Sequence, residues 1–418
     1  MNMRKLFLDD FIVAYLYLQI FLGFILKWFI PNSLFVIFQG LVDFSPFIVW
    51  FFSNPKFTNK PFILKSFNFW IAFSSFFLLS VLSNIINGGS LKYSLIEIGA
   101  IFRFFPIAYF IAYFGVNHDK IVKNIYIITY ILLGIGFLQI FFGEVASTFF
   151  MPPLSQHSTA MRVSLGGEIS GVFANSIDFA YFLVCIFILT LYKINYSYKP
   201  LLLSVITFVI FKTGSTAALL AILIIIFFYF TQNKIKVRFF FISVFVIFIA
   251  VVITLNIEFV NTALDVLKYS RLGMIFYTLP EFITRISLQS IIGVGVDPNV
   301  VYETVMKLPN TPMIFIWDQS ANALGDVYWV ALLVYHGITG FLLLVYMFCI
   351  LYKKMQLYSK NINSSFEYNK IINWIFFCIL FFSMFNQILV VRTFSLFFWI
   401  LVGLILFNGK KYENFTDK

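Results

Sequence analysis

The sequence predicts an all-α polytopic membrane protein of about twelve transmembrane helices, with a large outer loop of interfacial helices between the ninth and tenth. Three observations predict it. The chain has 418 residues, 61% hydrophobic and only 11% charged, whereas a soluble domain carries roughly 25% charged residues. Apolar runs of about 20 residues, the length needed to cross a bilayer core, recur along the chain. Lys and Arg are also divided unequally between alternate connections, as the positive-inside rule requires.

The runs follow in order. The first, 11–30, ends at Pro31-Asn32 with no small-residue cleavage site, so it is expected to remain as a span and not to be removed as a signal peptide. Next come 33–52, which contains Asp43, then 67–86, and 95–114 with Arg103 at its middle. Then come 121–142 and 171–192, the latter with Asp178 in its outer half. The stretch 198–231 is interrupted by Lys212, Gly214 and Ser215 in "FKTGSTAALLA" and is read as two short spans, 198–212 and 214–231. Such a break is either the flank of a substrate site at membrane depth or a tight turn at the surface. Four spans, 239–257, 326–350, 370–388 and 392–408, complete the set, with Asp326 opening the tenth at its outer end.

Orientation follows from the cations. Nineteen Lys and Arg fall on the side of both termini, nine on the other side over far more loop, and Arg103 lies within a span. Both termini are therefore expected in the cytoplasm, with the long connections 143–170 and 258–325 outside. Fusing 198–231 into one helix would move Lys234, Lys236, Arg238 and the Lys353–Lys370 cluster outside, against this bias. The chain reads as a single membrane domain, 1–418, whose two outer-face loops form a cap. The net charge of +11 belongs with the cytoplasmic loops and implies no nucleic acid. Cys185, Cys349 and Cys378 all lie in apolar runs and read as buried thiols. No His, Cys or Asp cluster has metal-ligand spacing, so no metal or other cofactor is expected.

Within the larger outer loop, "SIIGVGVDPN" holds Gly293, Gly295 and Pro298. It lacks the third glycine and the strand–turn–helix setting of a dinucleotide fingerprint. The glycines are expected to give a tight backbone path at the membrane surface. Ahead of them, Lys268, Arg271 and Arg285 punctuate apolar residues at helical spacing, a pattern of interfacial helices. These cations face either lipid headgroups or an anionic substrate, and Arg is a fork-shaped donor suited to phosphate. Charges inside spans cost roughly 2.5–3.5 kcal/mol each at the centre. Arg103 is therefore expected either to pair with Asp43 or Asp178, or to line a buried cavity with them. His336, in "VYHGITG", reads as a packing residue.

Taken together, the twelve spans, the loop with "SRLGMIFYTLPEFITRISLQSIIGVGVD", and the segments "DVYWVALLVYHGITGFLLLVY", "SGVFANSIDFAYFLV" and "FKTGSTAALLAIL" resemble the O-antigen polymerase and ligase superfamily of bacterial envelope enzymes, over about residues 95–408. Arg271 matches the family's loop arginine, and Gly293/Gly295 its Gly-x-Gly. Asp326 and Gly337-Ile338-Thr339-Gly340 match the polar residue and Gly-Ile-x-Gly of its following span. Thr216 departs from the pattern where an Arg is common, and Lys212 lies one helical turn earlier.

The resemblance implies a metal-independent, membrane-embedded (GT-C-like) glycosyltransferase of the bacterial inner membrane. Its substrates would be undecaprenyl-diphosphate-linked oligosaccharides, polymerised into O-antigen or capsule, with membrane lipid around it and a chain-length regulator protein as a candidate partner. Arg271, Arg285, Arg162, Lys212 and Arg103 would bind the diphosphate, with Asp178 beside them, and Asp326 would take the acceptor proton. The alternatives are an O-antigen ligase acting on lipid A core and a lipid-linked oligosaccharide flippase. Ligases of the superfamily carry a histidine at the Asp326 position, which favours the polymerase; the long outer loop disfavours the flippase.

Overall fold

The structure is a computed structural model. It describes residues 3–29, 34–52, 66–114, 117–150, 168–173, 175–194, 197–232, 274, 279–284, 287–307, 324, 327–360 and 366–416. The candidate span 239–257 and four expected site residues, Arg162, Arg271, Arg285 and Asp326, lie outside the described residues.

The described chain is helical, apart from one isolated bridge between Lys193 and Phe366. In chain order the helices are α1 (Met3–Phe29), α2 (Phe35–Phe52), α3 (Phe67–Ile86), α4 (Leu91–Ile101), α5 (Phe105–Phe114), α6 (His118–Phe142), α7 (Glu144–Phe150) and α8 (Ser176–Leu191). Then come α9 (Lys199–Lys212), α10 (Thr216–Thr231), α11 (Leu279–Thr284), α12 (Leu288–Ile292), α13 (Pro298–Met306), α14 (Tyr328–Ser359), α15 (Tyr368–Phe382) and α16 (Arg392–Thr416). Four of them, α1, α3, α6 and α14, contain stretches long and apolar enough to cross a membrane. The pair α4–α5, bent by 44°, makes a fifth if it is one span.

Differences from the expected runs have local causes. The run 95–114 is two helices because the chain leaves helical geometry around Phe102–Phe104. The run 370–388 ends as a helix at Phe382, where Ser383, Asn386 and Gln387 turn the chain back with their own backbone bonds. The tenth expected span is longer, reaching Ser359, and is broken at Gly337. Cys185 and Cys378 are buried, but Cys349 is exposed.

The stretch 198–231 is two helices, as its Lys-Thr-Gly-Ser interruption predicts. Gly214 takes the left-handed φ of 72° that the turn requires, and Ser215 caps α10 by accepting from the Ala218 N–H. The two helices form a hairpin alongside α8. At one end the Ile169 N–H donates to the Lys212 carbonyl; at the other, Lys199 reaches the Leu191 carbonyl and Tyr229 lies against Tyr192. With α9 and α10 on this flank and α15 and α16 also packed on it, α8 is buried at every position from Phe179 to Leu191.

Lysines from separate connections gather at one end of the bundle. Lys120 pairs with Asp10, and Lys193 stands over the Tyr126 ring at 4.6 Å. Lys370 reaches Gln232 and Glu367. His118 contacts the Tyr368 hydroxyl there, and Asn117 donates its N–H to Asp9. Lys193, held between the Tyr126 and Phe366 rings, has its ammonium pKa lowered by burial.

Candidate functional site

Toward the opposite end, polar groups from four helices and one bend converge. Asp43, on α2, accepts from Arg392 at 2.6 Å and from Gln19 at 2.9 Å. Gln19, on α1, in turn accepts from Arg392 Nε at 3.0 Å. Arg103, in the bend between α4 and α5, approaches the other Asp43 oxygen at 3.7 Å. The Arg392 guanidinium also lies over the Phe104 ring at 5.8 Å, a favourable cation–π position. Thr393 donates to the Asp178 carbonyl on α8, and Arg392 acts electrostatically on the Asp178 carboxyl.

The arrangement meets the cost of charge in an apolar setting, because each buried ion finds a partner of opposite sign. It is also unequal: two guanidiniums share one carboxylate. Arg392 is well spent, on Gln19 and Asp43. Arg103 makes no hydrogen bond among the described residues, since 3.7 Å is beyond that range. A guanidinium has five N–H donors in a fixed fork matched to carboxylate or phosphate. Arg103 thus keeps donors for a further anion.

The glycine segment is not a path over the surface. It packs against the break in α14. Gly337, with φ 66° and ψ −177°, leaves the helix, so the carbonyls of Val334 and Tyr335 lose their usual helical donors. The Val294 N–H donates to Val334 at 2.9 Å and the Gly295 N–H to Tyr335 at 3.0 Å. The contact is backbone on backbone: a Cβ at Gly293 would sit 2.2 Å from the Tyr335 oxygen, and one at Gly337 2.3 Å from the Ile291 oxygen. Asn84, on α3, fastens the next residues by accepting from the Val296 and Asp297 N–H groups. Asp297 accepts from the Ser90 N–H and also caps α13.

Around this break lie polar atoms with no partner among the described residues: Ser80 Oγ on α3, Glu97 Oε1 on α4, and Tyr328 Oη and both His336 nitrogens on α14. His336 is fully buried against Phe76, at 4.8 Å between rings, so it is a packing residue by position. Between α14 and α15 runs an apolar groove of about 450 Å³, lined by Leu332, Phe341, Leu344, Phe348 and Phe377 among others, with Cys349 on its wall.

Of the expected site residues that are described, Arg103 and Asp178 come together, joined by Arg392. Lys212 ends α9 beside residues 168–173, ahead of α8, and its carbonyl serves Ile169. Arg392, Gln19 and Glu97 were missed by sequence reasoning. Arg392 stands at the start of an apolar run and counts there as a loop cation; a glutamine and a glutamate inside apolar runs were the available signals. Neither a protein-family model nor a curated protein matches the chain.

Proposed function

We propose that this chain is a membrane glycosyltransferase that joins undecaprenyl-diphosphate-linked oligosaccharide repeat units on the outer face of the bacterial cytoplasmic membrane. The observation that carries the reading is Arg103, a half-buried guanidinium with unspent donors beside Arg392 and a single shared carboxylate. A diphosphate leaving group develops negative charge as the glycosidic bond forms, and preorganised cations in a water-poor site stabilise that charge. The groove between α14 and α15 supports the same reading by offering apolar room for part of a polyprenyl chain. Arg271, Arg285 and Arg162 are proposed to complete the anion site from the outer loops, with Lys212 near its edge. Both termini are proposed to be cytoplasmic.

The test is the surface glycan of a deletion strain in a host that makes O-antigen. Lipid capped with a single repeat unit is expected. Bare core lipid, with long chains stranded on the carrier, would indicate a ligase; an unchanged ladder would reject both.

A further inference from the structure

We infer that Glu97 is the carboxylate that takes the proton from the acceptor hydroxyl, an inference that rests on the polymerase reading above. The other described carboxyl groups near the site are committed, Asp178 to a side-chain hydrogen bond with Asn175 and to the charge of Arg392. Asp43 holds two arginines and a glutamine. Asp297 accepts one backbone N–H on each oxygen, from Ser90 and Asn299. Glu168 accepts from Ser176 and lies against Gly214. Glu97 differs: its Oε1 is buried and has no partner among the described residues. A buried polar atom left so is costly, and a catalytic role is one of the reasons native proteins keep one.

The surroundings suit a hydroxyl ligand. Glu97 acts electrostatically on the phenols of Tyr328 and Tyr335, and Tyr328 Oη also lacks a partner. One turn earlier on α4, Ser94 donates to the Ser80 carbonyl, fixing α4 against α3. No Lys or Arg pairs with Glu97 among the described residues, so the carboxylate is not neutralised by a salt bridge.

Its position along the chain also fits. Glu97 precedes Arg103 by six residues on one bent element, which is about 9 Å at a rise of 1.5 Å per residue. The proposal puts the diphosphate at Arg103 and Arg392 and the sugar it carries on the Glu97 side of that pair. In the step, the acceptor oxygen bonds to the anomeric carbon as the bond from that carbon to the diphosphate oxygen breaks. The electron pair leaves with undecaprenyl diphosphate, and the acceptor proton moves to Glu97, which later loses it to water.

The experiment uses the full-length protein in membranes, with undecaprenyl-diphosphate-linked repeat units extracted from a deletion strain as probe. Glu97→Gln keeps the shape and removes the base, and general-base loss typically costs roughly 10²–10⁴-fold in rate. The expected result is such a fall in kcat, little change in KM for the lipid-linked donor, and loss of the low-pH limb of the wild-type rate profile. Glu97→Asp should recover part of the rate. A Glu97→Gln variant that inserts normally and polymerises at the wild-type rate would overturn the assignment, as would an unchanged pH limb or a full loss confined to Asp326→Asn. If the wild-type protein forms no polymer from this probe, the polymerase reading itself fails, a result distinct from either.

Discussion

Replacing Gly293 or Gly337 with alanine tests the joint between the glycine segment and the broken helix, whatever the protein's activity. Gly293 has φ 89° and ψ 172° and Gly337 φ 66° and ψ −177°, a region that is essentially glycine-only and costs other residues of order 1–3 kcal/mol. The new methyl would also meet backbone, at 2.2 Å from Tyr335 O in one case and 2.3 Å from Ile291 O in the other. Backbone cannot swing aside as a side chain can, so the segments must separate. Separation breaks the bonds from Val294 to Val334 and Gly295 to Tyr335, at about 0.5–1.5 kcal/mol each. The total is about 2–6 kcal/mol. The assay is the fraction of detergent-solubilised protein that remains monodisperse after heating, read by gel filtration. Gly134→Ala is the control, since nothing lies within 4 Å of a Cβ there and alanine in a helix interior gains about 0.5–1 kcal/mol over glycine. The expected result is a transition lowered by several degrees for both joint variants and unchanged or raised for the control. Joint variants as heat-resistant as Gly134→Ala would refute the backbone contact.

Three further outcomes are expected. Asp43→Ala leaves Arg103 and Arg392 facing each other without their shared counter-ion, and removing one partner of a buried pair typically costs about 3–5 kcal/mol; the yield of folded protein should fall sharply, and Arg103→Ala in the same background should restore part of it. A reporter active only outside the cytoplasm should be active when fused after Asn310 and silent after Lys236 or Asn363; activity at Lys236 would reverse the proposed topology. Arg271→Ala and Arg285→Ala should insert normally but lose polymer formation, with Lys rescuing only in part because a point charge lacks the guanidinium fork; full activity of both would assign them to lipid headgroups.

What the sequence made legible, and what it did not, follows from the range of each interaction. The hairpin of α9 and α10 is announced within five residues, because Lys212, Gly214 and Ser215 end one helix and start the next by local rules. The pairing of Arg103 with Asp43 is legible from cost alone: a charge in an apolar run needs a partner, and few were on offer. Arg392 is harder to read. Its partners Gln19 and Asp43 lie on the first two helices, and no local pattern tells the last helix which polar groups it will meet. The joint of Gly293 with Gly337 is harder still, since it joins two backbones and leaves no periodicity in either segment. Glycine is needed at both positions for the positive φ each adopts and for the close approach of the other segment.

The burial of α8 on all sides bears on how the chain assembles. A helix apolar around its whole circumference has no preferred face for lipid, so hydrocarbon can serve as a temporary solvent for it until its neighbours arrive. Those neighbours are made later: α9 and α10 follow at once, but α15 and α16 come about 175 residues or more further along the chain. In the lipid-first view of membrane folding, helices insert separately and then associate through packing. For this protein the centre of the bundle would be lodged early and enclosed last, and the arrival of Arg392 on α16 would close the ion cluster in the same event that seals α8.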